Sequence, residues 1–510
     1  MRSENSVRNS LFAIVGQAVS LIFGFVTRIY FVRLLGEAYL GVNGVFCSVL
    51  SLLSLTELGL GSAITYALYK PLAEGESEAA GRIMNLYARA YRFVALTITA
   101  LGLCLVPFLG LITRSVPQVE HITLIYLLFL ANSAASYLFS YRRALITAAE
   151  RDWRNSVNTS IFSVLQNLLQ LLIIIYTQNY LLYLAAQLIC TLASNLEISR
   201  AASRMFPYLG RVKGLPDRET TDGIIKNTKA MFVNRFGSVA VTGTDNLLIA
   251  SVDVVLVGLY SNYLLILQTV QTILSQVMSA VTASVGNLLV GGDKERSAEI
   301  YSDISFAAAW LYGFSAIALD CLMTRFIRIA FGGGLEIPEA AVHLMALNFY
   351  LNGIRQPNLM FINAAGLFGP IRFKGFVEAA VNLGVSALFL SLGMGLFGVL
   401  LGTTVSHFAT SLWWEPMCVD RYCLGNKSAQ RFALGNLAWG GVTLICWLLT
   451  RILCGLMPES IFGFSLAVLI VLILPNLICL AAYHRTAQFG FFKNILIRLI
   501  NKFTRRKSEK

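Results

Sequence analysis

Charge is what this chain has least of. Only 13% of its 510 residues are Asp, Glu, Lys or Arg, 56% are hydrophobic, and the mean hydropathy is +0.67. So little charge cannot cover the surface of a soluble globule of this length, and the chain reads as an all-α polytopic membrane protein. Cysteine pairing motifs are also missing. The nine cysteines lie scattered in apolar segments without C-x-x-C or histidine spacing, which argues against a disulfide frame or a zinc site and leaves them as small core residues. No cleavage signal follows the N-terminal apolar run that continues past Gln17 to Tyr30, so a retained first helix is expected. A separate basic domain is lacking too. The net charge of +13 is spread over helix ends and the tail, which excludes nucleic acid as a partner and points to membrane orientation instead.

What is present is a series of apolar runs of bilayer length. They fall near 9–34, 40–69, 85–113, 120–148, 156–177, 180–203, 227–251, 256–290, 299–330, 340–366, 373–393, 396–420, 432–456 and 461–484. This predicts about fourteen transmembrane helices in two pseudo-symmetric six-helix lobes, residues 1–205 and 226–425, joined by a linker at 206–225. Two additional helices at 426–485 and a basic tail at 486–510 complete the chain. Lys and Arg concentrate in alternate loops, among them Lys70, Arg82, Arg142, Arg143, Lys294, Arg372, Lys427 and the tail. That bias puts both termini and the Pro/Gly-rich linker in the cytoplasm.

The two lobes look like copies. Ser62-Ala63-Ile64-Thr65 recurs as Ser279-Ala280-Val281-Thr282, Gly41 as Gly258 and Thr27 as Thr244, all at an offset of 217 residues. A repeat that keeps its in/out orientation implies lobes related by an axis along the membrane normal. At this offset Arg28 falls opposite Asp245, and the pair is expected to form an outer gate.

The second copy begins with a stripe of Arg235, Ser238, Thr242 and Asp245 on one helical face, which cannot be turned to lipid. Similar stripes carry Arg28 with Gln17, Glu57 with Ser54 and Thr65, and Gln268 with Gln271 and Ser275. Others hold Asn348, Asn352, Arg355 and Asn363, and Glu378 with Asn382 and Ser386. Each stripe alone is explained by polar contacts inside a bundle. Together they suggest a hydrated cavity with Arg28, Arg235, Arg355, Gln268, Gln271 and Asn352 as substrate-binding candidates. Glu57, Asp245 and Glu378 would then bind a coupling ion or balance the arginines.

Several local strings carry a family resemblance. They include Gly41-Val42-Asn43-Gly44, Glu57-Leu58-Gly59-Leu60-Gly61-Ser62-Ala63, Tyr69-Lys70-Pro71-Leu72 and Asn234-Arg235-Phe236-Gly237-Ser238. Gly243-Thr244-Asp245-Asn246, Gly258-Leu259-Tyr260-Ser261-Asn262-Tyr263 and Glu415-Pro416 complete the set. From Asn9 to about Arg485 the chain resembles the oligosaccharide flippases of the polysaccharide-exporter branch of the MATE-like superfamily; Gly369-Pro370-Ile371 departs from that pattern.

The resemblance implies alternating access and transfer of an undecaprenyl-diphosphate-linked oligosaccharide between leaflets of the bacterial cytoplasmic membrane. It implies no catalysis, metal or cofactor. Lipid-linked oligosaccharide and membrane lipids would be its partners, with a polysaccharide polymerase and other assembly proteins as further ones. A MATE-type drug antiporter is the main alternative and a membrane polymerase or ligase a lesser one, because the outer connections near 112–121 and 328–340 are short turns.

Overall fold

In hydrocarbon a backbone amide can be satisfied only within the segment itself, so long apolar runs become helices. The computed structural model describes the backbone of residues 2–490 apart from 55–59, 113–118, 139, 150, 291–292, 368, 426–428 and 487. Its described side chains further omit 2–15, 18, 62, 73, 111–112, 210, 230–231, 233–243, 276–277, 279–284, 286–290 and 429–434. Among the described residues every regular element is helical.

The first helices are α1 (Arg2–Leu35), α2 (Glu37–Leu53), α3 (Leu60–Glu74), α4 (Ser77–Leu105), α5 (Leu109–Ile112), α6 (Ile122–Tyr137) and α7 (Arg143–Ala148). They are followed by α8 (Trp153–Thr177), α9 (Tyr180–Met205), α10 (Arg218–Val252) and α11 (Val254–Val290). Then come α12 (Lys294–Phe331), α13 (Glu339–Ile354), α14 (Gln356–Ala365), α15 (Lys374–Ser391) and α16 (Gly395–Ser406). The last are α17 (Leu412–Val419), α18 (Ala429–Gly455) and α19 (Ile461–Tyr483).

Ten described spans are long and apolar enough to cross a membrane, and they coincide with ten of the fourteen expected runs. The chain is a multi-pass, all-α membrane protein. The other four runs coincide with α1, with α2 and α3, with α10, and with α13 and α14, which fall outside that set. Two of these are subdivided, and the last has a visible cause. Pro357 lacks an amide to reach back to Gly353, so α13 ends at Ile354 and α14 restarts beyond Arg355.

Local chemistry sets several helix starts. Asp217 caps α10, Asn179 caps α9, Asp293 caps α12 and Ser460 caps α19, each side chain accepting a backbone amide three residues on.

The chain forms two compact units, Met1–Leu259 and Tyr260–Lys510. In the first unit α1 lies along α8, and a Cβ at Gly16 would sit 2.0 Å from Ser160 Oγ. In the second, α12 packs on α13, α18 and α19, and α15 pairs with α16. Gly402 lets α16 approach Ser386, and Gly353 leaves room for the Tyr312 ring. The cysteines are all free, and Cys321, Cys446, Cys454 and Cys479 pack in one apolar cluster of α12, α18 and α19.

Candidate functional site: a buried charge cluster

The second unit holds five ionisable side chains against one another, all buried: Arg355, Lys374, Glu378, His407 and Glu415. Arg355 arrives at the α13–α14 break. Lys374 and Glu378 are one turn apart at the start of α15. His407 and Glu415 come from the helical stretch 395–424, which contains two π turns, His407–Ser411 and Asp420–Leu424, with Pro416 between them. π turns widen a helix locally and recur at functional sites.

Arg355 and Glu415 meet as two forks, Nη2 to Oε1 at 2.7 Å and Nε to Oε2 at 3.1 Å. Lys374 Nζ donates to Glu415 Oε1 and Glu378 Oε2, each at 2.6 Å. Arg355 Nη1 reaches Glu378 Oε1 and Asn352 Oδ1 at 3.2 Å, and Ser411 Oγ donates to Glu378 Oε1 at 2.8 Å. Charges so deep are tolerated because each has an opposite partner and further donors satisfy the carboxylates. His407 Nε2 is different: it is buried and has no hydrogen-bond partner among the described residues, an omission that costs about 1–3 kcal/mol.

Of the residues singled out in the sequence, Asn352, Arg355 and Glu378 come together here. The stripe through Glu378 continues onto α16, where Asn382 donates to Thr403 at 2.9 Å and Ser386 to the Val399 carbonyl at 3.2 Å. Asn348 likewise bonds α16, through the Leu400 carbonyl and Thr404. Gln271 faces Ser275 at 3.3 Å and Tyr312, while Gln268 is exposed.

Arg28 belongs to the first unit. Its guanidinium carbon is 6.0 Å from the Phe31 ring centre, and Phe31 packs on Tyr180 and Tyr183. Asp245 is buried on α10. Glu57 and the Arg235 side chain lie outside the described residues. The tail from 491 does as well.

Lys374, His407, Ser411 and Glu415 were not among the site residues expected from the sequence, although Glu415 stood in one of the resemblance strings. The signal was there, since His407, Ser411 and Glu415 recur every four residues inside an apolar span and Lys374 precedes Glu378 by four. A second buried acid was also missed. Asp320 on α12 accepts from Arg451 at 3.0 Å and Trp447 at 2.7 Å, and faces His343 Nδ1 at 2.6 Å, tying α12 to α13 and α18. Among the described residues no group of His, Cys, Asp and Glu is arranged to hold a metal ion.

No family model and no curated protein matches the chain. Solved structures do. The lipid II flippase MurJ in an inward closed conformation is 15% identical and superposes with a TM-score of 0.65 over 93% of this chain and 99% of that one. An inward-facing multidrug resistance MATE family transporter of the MOP superfamily is 16% identical, with a TM-score of 0.57 over 80% of this chain and 98% of its own. A MOP superfamily transporter from Pyrococcus furiosus, titled for the reverse polarity of its binding pocket, gives 16% identity and 0.55 over 82% and 96%. At such identities the likeness is one of fold.

Proposed function

We propose that the chain is a flippase that carries undecaprenyl-diphosphate-linked oligosaccharide repeat units from the inner to the outer leaflet of a bacterial cytoplasmic membrane, by alternating access. The observation that carries this reading is the end-to-end likeness of fold to a protein named as a lipid II flippase. The residues suit the cargo. A diphosphate with hydrophilic sugars needs donors in place of water, and the planar fork of arginine binds phosphate oxygens in pairs.

Arg28 and Arg235 are the proposed headgroup ligands in the first unit. Arg355 would serve only where substrate phosphate replaces a carboxylate of its cluster. Gln268, Gln271 and Asn352 are proposed to meet sugar hydroxyls. Glu378 balances cationic neighbours, and the same role is proposed for Glu57 and Asp245. In this reading both termini are cytoplasmic, the protein is not an enzyme, and it works beside a polymerase and other assembly proteins of the same polysaccharide.

The MATE likenesses favour a second reading, cation-coupled export of drugs. Arginines aimed at a lumen would repel such cargo. Proteoliposomes carrying the full chain and a labelled lipid-linked oligosaccharide separate the two. Label reaching the outer leaflet only with the protein present supports the flippase; its absence, with active uptake of a cationic dye, would replace it.

A further inference from the structure

His407 sits in a bonding pattern that admits two arrangements. Arginine has donors only, so the 3.1 Å contact from Arg355 Nη1 to His407 Nδ1 requires a lone pair on Nδ1. The proton of the neutral ring is therefore on Nε2, the buried atom that has no partner among the described residues. Glu378 Oε1 lies 3.5 Å from the same Nδ1.

The geometry points to a proton-binding site: a proton from the aqueous phase adds to His407 Nδ1, ends the bond from Arg355, and replaces it with one donated to Glu378 Oε1. One O–H bond of a hydronium ion breaks, releasing water, and the N–H bond on His407 forms. Before the proton arrives, Arg355 and Lys374 face Glu378 and Glu415, two cations against two anions. Afterwards the cluster holds one positive charge in excess.

The charged groups facing the ring are Arg355 from the α13–α14 break and Lys374 and Glu378 from α15, while Glu415 of its own helical stretch pairs with Arg355. Tyr301 of α12 and Asp420 lie beyond Glu415. The fork between Arg355 and Glu415 does not involve the ring and survives the exchange. What is lost is the tether from the α13–α14 break to the π turn at His407–Ser411, two places where the helical ladder is already interrupted. Such interruptions take up a change of partner without unfolding a helix. This inference does not depend on the cargo.

The test is amide hydrogen exchange of the purified full chain, without substrate, at about pH 7.5 and about pH 5.5, an interval across which an ordinary imidazole changes charge. After correction for intrinsic chemical rates, exchange of peptides within 395–424 should differ at least about threefold between the two pH values, because the π turn gives up its bond to Arg355 for one to Glu378. His407→Gln can accept from Arg355 but cannot take the proton, and should abolish the difference. Glu378→Gln, which removes the charged acceptor, should do the same and serves if the first variant does not accumulate. A wild-type protein without the pH response, or a response of wild-type size in either variant, would overturn the proposal.

Discussion

Gly41 on α2 and Gly258 on α11 touch: a Cβ added at Gly258 would lie 2.6 Å from the Gly41 amide nitrogen, and one added at Gly41 would lie 2.3 Å from the Val254 carbonyl oxygen. Two residues matched by the 217-residue offset thus face each other. Backbone cannot yield as a side-chain tip can. Gly41→Val and Gly258→Val are each expected to cost about 1–3 kcal/mol or more, read as a lower melting temperature in detergent. Gly24→Ala, where nothing lies within 4 Å, is the control and should leave the melt unchanged or raise it.

Removing one partner of the Arg355–Glu415 fork leaves the other charge buried. Arg355→Ala should therefore destabilise the protein by about 3–5 kcal/mol as well as impair transport. The double change Arg355→Met with Glu415→Met leaves the Lys374–Glu378 pair, 2.6 Å apart, still balanced. Its loss should be smaller than the sum of the single changes. Additive losses in a denaturation series would show that the pair is not coupled.

Asp217 ends the Pro/Gly-rich linker and caps α10. The Thr220 hydroxyl and amide donate to its carboxylate at 2.7 and 3.1 Å and hold its pKa below the usual value. Because the folded value is the lower one, the cap contributes fully above the ordinary Asp value of about 3.9 and fades as pH falls through the folded value. Amides of residues 218–222 should lose protection when acidified, after correction for intrinsic rates. Asp217→Asn, which caps without titrating, should flatten that dependence.

The proposed cytoplasmic placement of the linker and the first turn of α10 makes a topological prediction. In a variant stripped of the exposed Cys47 and Cys104, a cysteine at Thr221 should react with an impermeant thiol reagent only after the membrane is opened. Labelling of intact cells would invert the proposed orientation.

The proposal that Arg28 and Asp245 form an outer gate is tested by cysteines at both positions in the same background. Cross-linking is expected without substrate, together with loss of transport that reduction restores. Failure with short and long reagents alike would remove the gate and the pairing that the repeat assigns.

The sequence by itself determined the class of molecule and the position of most helices, because apolar length and scarce charge leave the backbone no alternative in lipid. Arg355, Asn352 and Glu378 were legible too, since a polar stripe on an apolar helix must turn inward. Their partners were not. That Lys374, His407 and Glu415 close on Arg355 depends on how α13, α15 and the π-containing stretch pack, and helical spacing within one segment says nothing about which neighbour it meets. Likewise Asp320 finds His343, Trp447 and Arg451 across 23 to 131 residues of chain. Only the tertiary structure could decide these pairings, because a buried charge is stabilised by whatever opposite charge lies a few ångströms away, and that distance is set by packing.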